Sequence, residues 1–375
     1  MRASRDVTFW MTPIRTLASV DSRTAVIDIW YVTFGAISYL LLFEYLRTPP
    51  ERRQPGILVG LGIALGLNLA SKLFIPAFTW LTVVIFLSVL SWRAERAHHA
   101  RQPWRRGLAP TVLVTSAATA TYLAVYLPNY YLGWWHSVWD IPKYFKDVVG
   151  YEAAVASATH PYSSKWYTWP FLLRPVWYHF KDVPGDSSHV VGVWGGGNPL
   201  LWWGGFAAIL IALARGIRER HLPSVFLVTA FILHYVVWSW IGRTLFQYHY
   251  LPSLYASLLA LAMALGILWR APADDGFWIA AGIALLVPLL PTLLGPFPRW
   301  GILLFAAIVG LYGAAVVYQR LPVFYWPPGR VVVVAYAVAV VVCLVYFYPI
   351  WCGAPISRDA YSARMWFQAG PAHWI

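Results

Sequence analysis

Ten stretches of this 375-residue chain are apolar and of bilayer-spanning length, and the charges sit in short clusters between them. The runs lie at roughly 24–46, 56–71, 73–91, 108–127, 198–216, 222–241, 250–269, 277–294, 301–319 and 331–349. A bilayer's hydrocarbon core is about 30 Å thick, which takes roughly 20 residues of helix to cross. Backbone polar groups at that depth must be satisfied internally, so such runs fold as helices. The second and third runs are separated only by Lys72, with Pro76 just beyond. They read as two short spans or a broken re-entrant pair. The expectation is an all-α polytopic membrane protein of about nine or ten transmembrane helices. Composition agrees: 59% of residues are hydrophobic and 11% charged, against about a quarter charged in soluble domains.

The net charge of +13 would suggest nucleic acid in a soluble protein. Here the basic residues are mostly arginines beside apolar runs, which the positive-inside rule and anionic lipid explain without it. Nucleic acid is therefore not an expected partner. Cys343 and Cys352 lack metal-ligand spacing, Cys343 lies in an apolar run, and His98 and His99 fall in an Arg-rich loop. No disulfide, metal or cofactor is expected.

Placing the N-terminus outside puts Arg47, Arg52, Arg53, Arg93, Arg96, Arg101, Arg105, Arg106, Arg215, Arg218, Arg220, Arg270, Arg320 and Arg330 on the cytoplasmic side. Only Arg243 and Arg299 then fall in short outer connections. By parity the one long loop, residues 128–197, lies on the non-cytoplasmic face. It divides the chain into a transmembrane part at 1–127, the loop, and a second transmembrane part at 198–375. A loop this long is functional or disordered. Trp134, Trp135, Trp139, Trp166, Trp169, Trp177 and Trp194 argue against disorder. Amphipathic or re-entrant helices resting on the bilayer are expected.

Four polar constellations fall on that outer face. Arg23 and Asp28 stand in "SRTAVID" at the start of the first run. A membrane carboxylate is costly unless paired or wet, and five residues apart the two would not share a helix face. Asp28 capping or bonding a neighbouring helix is the plainer role. Asn68 and Lys72 in "NLASK" are four apart on one helix face. Lys72 can meet a phosphate or merely snorkel to the headgroups. The loop stretch "THPYSSKWYTWPFLLRPVWYHF" holds His160, Tyr162, Lys165, Trp166, Trp169 and Arg174. Its aromatics suit a sugar ring or lipid chain and its cations an anion, although an interfacial anchor would use the same residues. Finally "GRTLFQYHYLPSLY" holds Arg243, Tyr248 and His249. Arginine's planar fork suits phosphate, while the tyrosines would also suit an aromatic belt. One basic, aromatic-lined cleft for a lipid-linked phosphate accounts for the convergence of all four.

These segments resemble the protein O-mannosyltransferases, multi-spanning lipid-phosphate-sugar-dependent enzymes of the GT-C class. The resemblance rests on "SRTAVID", "GLNLASKLF", "HPYSSKWYTWPFLLRPVWY", "GNPLLWW", "RTLFQYHYLP" and "FYPIWCGAPIS", which occur in family order over nearly the whole chain. The third and fifth are the specific ones. The chain is closest to the bacterial type, without the soluble insert of eukaryotic members. The resemblance implies transfer of a sugar, typically mannose, from a polyprenyl phosphate to Ser or Thr hydroxyls of an exported protein, with inversion. It implies a multi-pass protein of the bacterial plasma membrane. A carboxylate must take the acceptor's proton and cations must steady the departing phosphate. Arg23, Lys72, Arg174 and Arg243 are the candidates for the second task.

Family members carry an Asp-Glu pair in an outer loop upstream of "SRTAVID". Asp6 and Asp21 are isolated and do not match it, so no catalytic residue is assigned. The chain reads as the C-terminal three-quarters of such an enzyme, which leaves open a partner chain that supplies the missing helices. Should the base lie within the chain, Asp21, Asp28, Asp140 and Glu152 are the carboxylates to weigh. The rival reading is a non-catalytic lipid-phosphate-binding protein or transporter, although the internal symmetry common in transporters is not visible.

Overall fold

The computed structural model describes residues 28–72, 74–97, 103–154, 157–270, 328–367 and 374. Among these, seven helices are long and apolar enough to cross a membrane: Asp28–Arg47, Ala77–Ala97, Gly107–Tyr131, Pro199–Glu219, Leu222–Trp240, Gln247–Arg270 and Val332–Cys352. Pro55–Ser71 is a shorter apolar helix. The runs expected at 277–294 and 301–319 lie outside the described residues. The all-α polytopic class holds. Lys72 does divide its run in two, because the helix ends at Ser71 and Lys72 itself is extended.

The described residues form two compact units. One comprises those of 27–159 with 232–244, and the other those of 160–231 and 245–375.

In the first unit, α1 (Asp28–Arg47) and α4 (Pro103–Ala124) both pack on α2 (Pro55–Ser71), and α3 (Ala77–Ala97) packs on α4. Small residues permit this. In a bilayer, helices gain little from hydrophobicity and approach through glycine and alanine. Gly62 and Gly66, one turn apart, lie against α4. A Cβ at Gly66 would stand 2.5 Å from Thr121 Cβ and 2.6 Å from the Ala118 carbonyl, and one at Gly62 would stand 2.7 Å from the Val114 carbonyl. Leu42, Leu61, Leu65, Val83 and Leu87 fill the interior. Beyond α4, the short α5 (Leu127–Tyr131) and α6 (Asp140–Ala154) open the long loop. Tyr122 and Tyr126 of the preceding chain meet Trp135, Tyr144 and Phe145 in one ring cluster.

In the second unit the loop departs from expectation. Asp140–Ala154 is helical in the first unit, as expected of the loop, but Trp177–Val183 (β1) and Asp186–Trp194 (β2) form an antiparallel hairpin. Pro184 and Gly185 make its turn, with Gly185 at φ +79°, a conformation that glycine adopts without strain. β3 (Ile356–Ser357) pairs with β2 at His189 and Val190. The physical reason is the turn: Pro-Gly between β-branched and aromatic residues favours a hairpin over a helix. The membrane part of this unit contains α7 (Pro199–Glu219), packed on α9 (Leu251–Arg270), with α10 (Pro328–Cys352) against both. Helix α8 (Leu222–Val236) crosses the division between the units. After β3, α11 (Arg358–Arg364) follows. Trp374 is fully buried: its indole N–H donates to the Leu172 carbonyl at 2.7 Å, and its own carbonyl accepts from the Trp177 indole at 2.7 Å.

Candidate functional site

Asp28 opens α1 and Lys72 ends α2. Because α1 and α2 are antiparallel neighbours, these positions meet at one end of the bundle. Lys72 Nζ lies 2.6 Å from Asp28 Oδ1, with the two side chains 11% and 3% exposed. One turn inward, Asn68 Nδ2 donates to the Tyr31 carbonyl at 2.6 Å. The first turn of α3 and the last of α8 complete the same end, where Thr79 Oγ1 and His234 Nε2 are 3.0 Å apart. Asp28, Tyr31, Asn68, Thr79 and His234 are all buried. So much polar and ionisable chemistry within a membrane bundle is costly, which makes this end a candidate functional region. Asp28 thus finds its partner in Lys72. Arg23 lies outside the described residues.

Arg243 belongs to the same unit. Its Nη1 lies 3.1 Å from Glu152 Oε2 at the end of α6, both side chains partly exposed. The adjacent Thr244 hydroxyl donates to the Ala158 carbonyl. Asp140 opens α6. Its Oδ2 accepts from the His136 and Ser137 backbone N–H groups at 2.8 Å each. Those two bonds hold its carboxyl below the usual range, which makes it a weak base.

The second unit holds the remaining candidates. Trp169 is fully buried in the 3-10 turn Trp166–Phe171. Its indole donates to Ser164 Oγ at 2.9 Å, and its carbonyl accepts from the Trp202 indole at 2.5 Å. Ser164 N–H in turn donates to the Leu245 carbonyl at 2.9 Å. That bond ties the loop to the 3-10 turn Gln247–Tyr250. There His249 is buried and stacks on Trp169 with centroids 6.1 Å apart, and Tyr248 lies against Phe246 and His249. His160 is exposed, meets Phe246 edge-on at 5.0 Å, and accepts from the Tyr162 N–H. Arg174, at φ +56°, donates from Nε and Nη2 to the Pro161 carbonyl at 3.2 and 2.6 Å. Lys165 is exposed and Trp166 half-buried.

The structure therefore groups the sequence-derived residues in two sets. Asp28, Lys72 and Arg243 belong to the first unit. His160, Tyr162, Lys165, Trp166, Trp169, Arg174, Tyr248 and His249 belong to the second. Sequence reasoning missed Tyr31, Thr79 and His234. The available signal was a histidine within an apolar run. It also missed Gln247, which is 1% exposed and follows Phe246 in a stretch it had already marked.

The family model described as the C-terminal four TMM region of protein-O-mannosyltransferase matches residues 135–370. The polyprenol-phosphate-mannose–protein mannosyltransferase of Mycolicibacterium smegmatis is 27% identical over 300 residues, covering 66% of this chain and 57% of the relative. The Mycobacterium tuberculosis protein of the same name is 25% identical over 349 residues, covering 82% and 56%. Dolichyl-phosphate-mannose–protein mannosyltransferase 5 of Saccharomyces cerevisiae is 31% identical over 128 residues, covering 29% and 16%. The chain thus spans a little over half the length of the mycobacterial relatives it matches. No solved structure matches the chain significantly. With 135–370 matched, which is more than half of its residues, the chain belongs to the protein O-mannosyltransferase family.

Proposed function

We propose that the chain is the donor-handling portion of a polyprenyl-phosphate-mannose–protein mannosyltransferase. In this reading the protein resides in a bacterial plasma membrane, with residues 128–197 on the non-cytoplasmic side. The sugar, mannose, passes from the lipid phosphate to a Ser or Thr hydroxyl of an exported protein, with inversion. The observation that carries the reading is the family match over 135–370 together with the similarity to the two mycobacterial polyprenol-phosphate-mannose–protein mannosyltransferases.

The residues suit the task. A departing polyprenyl phosphate needs positive donors. Arg174 spends two of its five N–H donors on one carbonyl, which fixes the guanidinium while leaving others for an anion. Arg243 is half-exposed and paired with a carboxylate. Lys72 is held in place by Asp28. The base is assigned to none of the three carboxylates weighed within the described residues. Asp28 is neutralised by Lys72, Glu152 by Arg243, and Asp140 is held by two backbone donors.

The test is transfer of labelled mannose from the polyprenyl phosphate to a Ser/Thr-rich peptide. The chain is assayed alone and fused to the portion of the M. smegmatis protein that the match leaves uncovered. The reading expects transfer by the fusion. Tight lipid binding with no transfer in either form would favour the non-catalytic lipid-phosphate-binding alternative.

A further inference from the structure

Gln247 is 1% exposed, and neither its Oε1 nor its Nε2 has a hydrogen-bond partner among the described residues. A buried amide left this way is costly in any protein. Such a group calls for something polar to complete it. The position is one residue below the surface, because Phe246 and Tyr248 on either side are half-buried. Its neighbours along the chain are rings that pack on other rings. Phe246 and Tyr248 stack at 5.4 Å, His249 stacks on Trp169, and Tyr250 packs on Trp202 with centroids 5.5 Å apart. The turn carrying Gln247 is anchored from outside by the Ser164-to-Leu245 hydrogen bond.

The chemistry narrows the ligand. An amide offers two N–H donors and one acceptor oxygen. A phosphate diester, or a fully ionised monoester, bound through its oxygens can satisfy Nε2 but gives nothing to Oε1. A polyprenyl chain satisfies neither. A hydroxyl both donates and accepts, and a pair of neighbouring hydroxyls completes both ends. The C–H faces of a sugar also suit an aromatic surround.

Resting on the mannosyltransferase reading, we infer that Gln247 reads a hydroxyl of the donor's sugar and so is a specificity-determining residue. A site built to hydrogen-bond a substrate hydroxyl rejects an analogue lacking it strongly, because its buried polar groups are then left unpaired.

The experiment uses the chain in nanodiscs and two probes, polyprenyl-phosphate-mannose and the same polyprenyl phosphate without sugar. Gln247→Met keeps the shape and removes the amide. The inference expects the lipid-free variant to melt no lower than wild type, since an unpaired buried group has been removed. It expects mannosyl-lipid affinity to fall tenfold or more while affinity for the sugar-free lipid is unchanged. Equal changes for both lipids, or a lowered melting temperature with mannosyl-lipid affinity retained, would assign the amide to a structural water and overturn the inference. Deoxymannosyl lipids tested on wild type give a second reading that needs no variant. One deoxy position should lose the same tenfold, and equal affinity across the series would overturn the inference. Wild-type protein that binds neither lipid defeats the mannosyltransferase reading as well. Wild type that prefers the mannosyl lipid, with Gln247→Met keeping that preference, defeats this inference alone.

Discussion

Lys72 and Asp28, 44 residues apart in sequence, meet at 2.6 Å where α2 ends and α1 begins. Both are nearly removed from solvent. Breaking a buried pair by removing one partner costs roughly 3–5 kcal/mol, because a charge is left uncompensated. Asp28→Asn and Lys72→Met should each lower thermal stability in detergent by that order. The double variant should lose less than the sum, with a coupling of about 1 kcal/mol or more. Additive losses in the double-mutant cycle would show that the pair is not coupled.

The glycine face of α2 makes a second prediction with an internal control. A side chain at Gly66 would strike α4 at Thr121 and Ala118, whereas one at Gly56 would meet nothing within 4 Å. Gly66→Ala should destabilise by roughly 1–3 kcal/mol through overpacking. Gly56→Ala should be neutral or slightly stabilising, as alanine replaces glycine in a helix. Equal effects in thermal unfolding would refute the close α2–α4 approach.

Arg243 and Glu152 form a partly exposed pair, and such pairs contribute about 0–1 kcal/mol to stability. Arg243→Ala should therefore leave protein abundance and melting nearly unchanged. If the guanidinium also meets the donor phosphate, affinity for the mannosyl lipid should fall about tenfold or more, the worth of roughly 1.5–3 kcal/mol for a bond to a charged group. Glu152→Gln removes the same ion pair and keeps the cation, so donor affinity should hold or rise. A matching loss in both variants would make the pair structural.

The hairpin turn carries a pH dependence. The Ser188 hydroxyl and N–H, and then His189, hydrogen-bond the Asp186 carboxylate and hold its pKa below the usual range. A group depressed in the folded state stabilises above its unfolded pKa, near 3.9, and that contribution is lost as pH falls through the lower folded value. Protection of the amides in Trp177–Trp194, taken relative to their intrinsic exchange rate at each pH, should fall as pH drops below about 4, and Asp186→Asn should flatten the response. An unchanged profile in the variant would assign the acid response elsewhere.

Sidedness has its own check. From the arginine distribution, residues 128–197 are predicted to lie outside the cytoplasm. An impermeant thiol reagent should label Ser187→Cys in intact cells and miss Gln102→Cys. The reverse pattern would invert the topology.

The spans were legible because length and apolarity alone decide whether a segment can cross a bilayer, and the break at Lys72 was legible from the charge and Pro76. The pairing of Lys72 with Asp28 was not. Spacing along one helix reveals its own faces, whereas this partner comes from another helix and depends on how α1 and α2 dock. Arg243 and Glu152 meet for the same kind of reason, across a loop and a turn far apart in sequence. The hairpin was missed because "WYHFKDV" mixes aromatic and charged residues without clean alternation, although Pro184–Gly185 was the available turn signal. Gln247 escaped notice because burial of an uncharged polar residue leaves no mark in composition. The second unit's aromatic packing, Trp169 on His249 and Trp202 on Tyr250, joins segments far apart in sequence, with the Ser164 N–H bonded to the Leu245 carbonyl between two of them.

The most direct test of the central claim is donor binding by the purified chain in nanodiscs, measured with labelled polyprenyl-phosphate-mannose against the uncharged polyprenol. A chain that handles the lipid donor should bind the phosphorylated lipid at least tenfold more tightly. Arg174→Gln should erase most of that preference while leaving the fold intact, as read by melting temperature. Equal affinity for the two lipids in the wild type would contradict the account.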